Sequence, residues 1–356
     1  MILGEIMGIN RIVFTGAPSS GKTQTIKALA DYYKNKVDNV FICEEAAAQL
    51  INEGKDYPDT LSFQLAVFQR QIENENMINE ILKNLEKENT LVFYDRGVTD
   101  CFAYLNNEQR KEFTDKVGVS FYASFFRYDT ALVFELCDKK SYVKTDVRKE
   151  NFTEALSLQN SILSAYVGHP HLRYIKSFDS FEDKIKSAAD EIDFILEGKE
   201  IEKKYLIEYP SKDILMSYKP FICDISQTYL LSGAGSHRVR QRSYMSESMY
   251  YETIKMRLSP SECYEEERLI SRSEYDFLLK SADPNKNAIV KKRCCFLYEG
   301  KYFELDLFDF WNDKALLEVE LKSLDEQVTL PDKIKIIKDV SDDEHYKNNY
   351  LAGMKL

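Results

Sequence analysis

Between residues 200 and 320, charged side chains recur at every second position in seven separate segments. They are Glu200, Glu202 and Lys204; Arg238, Arg240 and Arg242; Lys255 and Arg257; Glu265 and Glu267; Lys291 and Arg293; Glu304 and Asp306; Glu318 and Glu320. A period of two belongs to a β-strand, whose alternate side chains leave the same face. Residues on the other face include Ile201, Val239, Ile254, Met256, Leu305 and Val319. One face is therefore apolar and the other densely charged with both signs. A solvated sheet face seldom stays this regular over so many strands. The pattern predicts a closed antiparallel β-barrel with a charged interior and flanking helices. Three arginines side by side repel one another, and a core face cannot hold them unpaired. Inward cations require anions, and inward carboxylates require cations. A triphosphate with a divalent metal supplies both, so Arg238 and Arg240, with Arg242 as a third candidate, are expected to face a phosphate chain.

The first half has a different grammar. RIVFTG (11–16), NVFIC (39–43), LVFYD (91–95), TALVFEL (130–136) and LRYIK (172–176) are almost continuously apolar. Strands buried on both faces read this way, and the longer mixed segments between them imply βαβ units around a parallel sheet with helices on both faces. Ile185, Ala188, Ala189, Ile192 and Ile195 fall at helical spacing, and Gly198 follows as a C-cap. A chain of 356 residues is long for one domain. The boundary is placed here, giving domains 1–197 and 198–356.

GAPSSGKT, comprising Gly16, Ala17, Pro18, Ser19, Ser20, Gly21, Lys22 and Thr23, matches G-x-x-x-x-G-K-[ST] between an expected strand and an expected helix. Its glycines let backbone amides approach phosphate oxygens, and the helix N-terminus favours the anion. Lys22 is expected to reach the β- and γ-phosphates and Thr23 to ligate Mg²⁺. Asp95 ends a buried strand, where a carboxylate can hold magnesium or accept a proton from an acceptor hydroxyl. Arg96 could pair with it or touch phosphate, Asp100 is a weaker candidate, and Glu44 could contact an acceptor. The polar, basic segment CDKKSYVKTDVRKEN reads as a lid, with Arg148 as the charge-stabilising arginine.

The net charge of −11 argues against broad nucleic-acid binding. Seven cysteines without CxxC spacing fit a reduced, cytoplasmic protein with neither a disulfide framework nor a zinc site. No apolar run approaches the roughly 18 residues of a membrane span, and no signal peptide is expected.

On GAPSSGKT, the DRG at 95–97 and VRKEN, the first half resembles small P-loop kinases related to nicotinamide riboside kinase. That resemblance implies a five-stranded parallel sheet in order 2-3-1-4-5. The second half resembles a CYTH domain, or triphosphate tunnel metalloenzyme domain, whose E-x-E-x-K stands here as Glu200, Glu202 and Lys204. The family's basic pairs match Arg238 and Arg240, Lys255 and Arg257, Lys291 and Arg293, and its acidic strand matches Glu318 and Glu320 in LEVELKS after Asp306. The resemblance implies that Glu200, Glu202, Asp306, Glu318 and Glu320 hold Mg²⁺ or Mn²⁺, and that Lys204 and the basic pairs bind triphosphate. The order of the halves is similar to the TRPL-translocation-defect proteins, which implies GTP binding and, in animal members, phospholipid binding. No N-K-x-D run reads guanine, so ATP and GTP both stay open, as do lipid contact and oligomeric state.

The expectation is therefore a metal-dependent hydrolase of tripolyphosphate or a nucleoside triphosphate. It is joined to a purine-nucleotide-binding domain able to phosphorylate a small acceptor. Two alternatives remain: a nucleotide-gated binding protein with little turnover, and ATP cyclisation in the tunnel.

Overall fold

The computed structural model describes residues 8–85, 89–139, 142, 151–232, 235–257, 263–323 and 325–354. The chain divides into two compact units, Met1–Leu196 and Glu197–Leu356.

The first unit comprises β1 (Ile9–Thr15), α1 (Lys22–Tyr33), β2 (Asn39–Cys43), α2 (Ala46–Asn52), α3 (Thr60–Leu82), β3 (Thr90–Asp95), α4 (Val98–Ala103), α5 (Asn107–Val117), α6 (Phe121–Phe125), β4 (Thr130–Phe134), α7 (Phe152–Tyr166), β5 (Leu172–Ile175) and α8 (Phe181–Leu196). The strands form a parallel sheet in the order β2-β3-β1-β4-β5. The near-continuous apolar runs are explained by burial on both faces. Ile12, Phe14, Leu91, Phe93, Leu132 and Phe134 meet α1 and α8 through Ile26, Leu29, Tyr33, Ala188 and Ile192. Their neighbours Val13, Val92, Ala131 and Val133 are equally buried on the opposite face, where α3 packs on β2 and α7 on β4. With every connection crossing over a face, the loops after β1 and β3 open at one sheet end, where ligands of such sheets bind.

The second unit comprises β6 (Lys199–Glu200), β7 (Glu202–Glu208), α9 (Lys212–Ser217), β8 (Phe221–Tyr229), β9 (Ser236–Tyr244), β10 (Glu247–Arg257), β11 (Cys263–Ile270), α10 (Arg272–Leu278), β12 (Ile289–Tyr298), β13 (Lys301–Phe308), β14 (Lys314–Glu320), β15 (Ile336–Asp339) and α11 (Asn348–Ala352). These strands form one ten-stranded sheet in the order β15-β7-β14-β13-β12-β8-β9-β10-β11-β6. β6 and β7 are a single run broken only at Ile201. β6 pairs with β11 while β7 pairs with β14, so the sheet closes on itself. Closure leaves no free edge at that seam.

The alternation sets the register. Arg238 lies opposite Thr253 and Tyr229, Glu318 opposite Lys204 and Glu304, and Arg293 opposite Asp306 and Cys223. The charged positions of the pattern whose side chains are described are thus on the inward face. The outward face is less uniformly apolar than the sequence suggests. Val239 is fully buried against Leu230, Ile270 and Tyr275 beneath α10, whereas Ile254 and Met256 are exposed. The lumen is not charged throughout either. Leu206, Leu316, Phe308, Ile289 and Tyr229 continue the inward columns and pack with Val340 and with Leu351 and Ala352 of α11. The C-terminal helix therefore plugs one end of the barrel with apolar side chains, tied by the bond from Asn287 N to Ala352 O at 2.7 Å.

Because Val239 fills a closed apolar cluster and Ile254 does not, Val239→Ala is expected to cost on the order of 1 kcal/mol in urea denaturation, and Ile254→Ala clearly less. Equal losses would mean that the two side chains are equally buried.

Candidate functional site

In the first unit the loop Gly16–Gly21 joins β1 to α1. Gly16 has φ 136°, and a Cβ there would stand 2.3 Å from the Phe134 carbonyl oxygen, so no other residue fits the turn off β1. Lys22 is buried with its ammonium inside the loop, donating to Gly16 O and Ala17 O at 2.9 Å and to Ser20 Oγ at 3.1 Å. Burial, seconded by Arg96, pushes its pKa down to about 7 against the pull of Asp95, Glu45 and Asp100. Thr23 Oγ1 donates to Asp95 Oδ2 at 2.6 Å. The other oxygen, Asp95 Oδ1, is buried with no hydrogen-bond partner among the described residues, and burial raises the Asp95 pKa. A buried carboxylate oxygen beside a threonine hydroxyl, at the end of a phosphate-binding loop, fits a hard divalent cation.

Two supports of the loop were not evident from the motif. Gln159 of α7 accepts from Ala17 N at 2.8 Å, and Lys184 of α8 donates to Ser20 O at 2.9 Å. Both are distant in sequence, and only the packing of α7 and α8 brings them in. Pro18 contributes no amide donor.

Arg96, at φ 71°, turns away from Asp95. Its Nε donates to Glu45 Oε1 at 2.8 Å and its Nη1 to Asp100 Oδ1 at 2.9 Å. Asp100 also accepts from Thr15 Oγ1 at 2.6 Å, Gly97 N at 3.0 Å and Tyr166 OH at 2.7 Å. Its oxygens are consumed in joining β1, α4 and α7, which makes it a structural anchor. Glu44 is exposed, and Glu45 is the carboxylate tied into this network. Arg148 lies outside the described residues, with most of the expected lid.

In the barrel, the acidic and basic columns meet. Arg293 donates from Nε to Asp306 Oδ1 at 2.8 Å, from Nη2 to Asp306 Oδ2 at 2.7 Å and to Glu318 Oε2 at 3.1 Å, and from Nη1 to Glu304. Lys291 also bonds Asp306. Lys204 lies 2.9 Å from Glu318 and 3.2 Å from Glu202. Burial alone would raise the pKa of Asp306, but Arg293 and Lys291 outweigh it and hold the group below the usual carboxylate range. The same contest at Glu318 is won by Lys204, Arg293 and Lys291. Lys291 is brought down to about 8 by burial and by Arg293.

The arginine row is offset differently from expectation. Arg238 meets Glu265 at 3.0 Å, Arg240 meets Glu267 at 3.3 Å, and Lys255 meets Glu265 at 2.6 Å. The neighbouring strand β11, not only a ligand, supplies their counter-charge. Nevertheless Arg238 Nε and Arg240 Nε are buried without an acceptor among the described residues. Arg242 departs from the expected phosphate role. Its Nε donates to Cys223 Sγ at 3.3 Å and its Nη2 reaches Cys295 Sγ at 3.9 Å. The backbones of Glu200 and Arg257 are in β6 and β10, but their side chains lie outside the described set.

Among the described residues no three His, Cys, Asp or Glu side chains are grouped to hold a metal ion. Glu202, Asp306 and Glu318 are held by cations instead, and Glu320 lies opposite Glu202 in register. The donor set is all oxygen, which suits Mg²⁺ or Mn²⁺. No described helix is long and apolar enough to cross a membrane.

A family model described as an AAA domain matches residues 11–184. No curated protein matches the chain. Among solved structures, the inorganic triphosphatase NE1496 is similar at 26% identity, covering 44% of this chain and 95% of its own, with a TM-score of 0.30. Thymidylate kinase from Ehrlichia chaffeensis is similar at 18% identity, covering 51% of this chain and 98% of its own, with a TM-score of 0.35. The Candida albicans thymidylate kinase is 14% identical over 52% of this chain and 90% of its own, with a TM-score of 0.38.

Removing Arg293 would leave three carboxylates without their shared cation. Arg293→Met is expected to destabilise the protein by about 3–5 kcal/mol. Arg268→Met, at a half-exposed pair with Glu252 and Glu274, is expected to cost less than about 1 kcal/mol. Urea denaturation of both variants reads the difference, and similar losses would contradict a buried ionic core.

Proposed function

We propose that the barrel hydrolyses a linear triphosphate, tripolyphosphate or a nucleoside triphosphate, and that the first unit separately binds ATP or GTP with magnesium and phosphorylates a small acceptor. The observation that carries the barrel reading is the pair of buried, acceptor-less donors, Arg238 Nε and Arg240 Nε, on the inward face. A buried donor without a partner costs about 1–3 kcal/mol, which an incoming phosphate oxygen would recover. Inward cations and carboxylates are present in comparable numbers, so a polyanion requires cations of its own. A divalent ion on Glu202, Asp306, Glu318 and Glu320, with Glu200 from the same motif, would neutralise phosphate oxygens and activate water.

In this reading the chain's own side chains divide the work. Arg238, Arg240, Lys255 and Arg257 fix one part of the phosphate chain, while Lys204, Lys291 and Arg293 hold the other beside the carboxylates. Those carboxylates exchange cation partners when substrate enters, releasing Lys204 and Arg293 toward phosphate. The apolar floor of Leu206, Leu316 and Phe308 keeps charge from moving deeper and sets one limit of the chain.

In the first unit, Lys22 rests on loop carbonyls until phosphate draws its ammonium outward, where it regains full charge. Thr23 and Asp95 would hold magnesium, and Asp95 is placed to accept the acceptor's proton. Arg148 and the segment 137–151 remain candidates for closing over the phosphates. The AAA-domain match supports the nucleotide-binding part.

The test is phosphate release by the full chain from tripolyphosphate, ATP and GTP, with Mg²⁺, with Mn²⁺ and with chelator. Hydrolysis is expected with metal and lost on chelation. Arg238→Ala or Arg240→Ala should lower kcat/KM for tripolyphosphate roughly tenfold to hundredfold, mainly through KM. Glu202→Gln should abolish turnover in the folded protein. Lys22→Ala should remove nucleotide binding by the first unit and leave tripolyphosphate hydrolysis in place. Arginine variants with wild-type kinetics would exclude the lumen as the substrate site, and loss of both activities in Lys22→Ala would exclude separate sites.

A further inference from the structure

Cys223 on β8 and Cys295 on β12 are on the inward face of adjacent strands. Cys223 pairs in register with Arg293, and Cys295 with Phe221, so the two cysteines are diagonal neighbours. Cys223 is 1% exposed and Cys295 is fully buried. Both sulfurs are reached by one buried guanidinium, that of Arg242. A thiol is a weak acceptor, but a thiolate is a strong one, and a buried guanidinium against sulfur favours the anion. Arg293 adds a second positive field at Cys223, whose pKa is lowered to about 6 by neighbouring Cys295 and both arginines, against the effect of burial. Cys295 moves the other way and stays a thiol. The function proposed above uses neither sulfur.

We propose that Cys223 and Cys295 form a peroxide-reactive thiol pair in the barrel wall, Cys223 attacking as thiolate and Cys295 resolving. In the first step the Cys223 sulfur attacks one oxygen of hydrogen peroxide. An S–O bond forms, the O–O bond breaks, hydroxide leaves, and the sulfur is oxidised by two electrons to sulfenic acid. In the second step Cys295 sulfur attacks the sulfenic sulfur. An S–S bond forms, the S–O bond breaks, and water leaves with the Cys295 proton. The disulfide would sit in the paired strands β8 and β12 beside Arg293, which bridges Glu304, Asp306 and Glu318, and would take both sulfurs from Arg242. On the function proposed above, oxidation therefore slows triphosphate hydrolysis.

The experiment treats the reduced full chain with hydrogen peroxide and follows intact mass and peptide maps. The expected product is lighter by two hydrogen atoms, carries one Cys223–Cys295 link, and returns to the starting mass with dithiothreitol. Cys295→Ser should stop at a Cys223 sulfenic acid that dimedone traps. Cys223→Ser should leave Cys295 unmodified. Arg242→Met, which keeps both cysteines, should slow the first step about tenfold or more; circular dichroism checks that each variant is folded. First oxidation at another cysteine such as Cys43 or Cys137, or reaction of Cys295 at the wild-type rate in Cys223→Ser, would overturn the pair. An unchanged rate in folded Arg242→Met would overturn its activation by the guanidinium. Linked protein that hydrolyses tripolyphosphate at the unlinked rate would overturn the effect on turnover alone. A protein that never hydrolyses tripolyphosphate fails the earlier proposal, while the mass measurement still decides this one.

Discussion

The second unit depends on one buried cation. Arg293 carries a planar fork of donors into a space where Glu304, Asp306 and Glu318 converge from β13 and β14. Fully buried Asp306 would not ionise there alone, because desolvation of a carboxylate costs several kcal/mol. The guanidinium makes ionisation favourable and fixes the carboxylates in direction as well as in charge. Lys204 and Lys291 complete the group from β7 and β12. A lysine could not replace Arg293, since a point charge cannot bond three acceptors in one plane. The resulting interior is close to neutral yet densely polar, so it can exchange internal partners for those of a ligand with little net change in charge.

The first unit solves a similar problem on a smaller scale. Its loop gathers backbone donors and a lysine around a space suited to phosphate, and the lysine bonds the loop itself. Gln159 and Lys184 hold the outside of that loop from α7 and α8. Asp100 ties β1, α4 and α7 together beneath it. The phosphate-loop motif is therefore a short, largely buried turn held by a polar frame. Substitutions in the frame should disturb nucleotide binding without touching the nucleotide.

Several readings of the sequence reached the right element but not its partner. The arginine row on β9 was expected to find its counter-charge in phosphate. It finds Glu265 and Glu267 on β11, whose place beside β10 follows from strand pairing that the local pattern does not encode. Arg242 continues the same period, yet it meets cysteines because β8 presents Cys223 where a charged residue could have stood. The apolar plug is visible afterwards in the inward columns. Lys204 is followed by Leu206, and Leu316 precedes Glu318. That these leucines share one end of the lumen requires the register of every intervening strand.

The first unit's strands, the faces of the charged strands and the phosphate loop were legible in the chain itself, since each rests on local rules, whereas the parallel sheet order came from the resemblance to small P-loop kinases. Period-two alternation sets strand faces, continuous apolarity marks burial on both sides, and the glycine spacing sets a turn whose backbone only glycine can follow. What only the tertiary structure decided is which charge meets which: Arg293 with three carboxylates, Arg96 with Glu45 rather than Asp95, Arg242 with two thiols. Coulomb attraction acts through space and is strongest where water is excluded, and that place exists only once the barrel has closed.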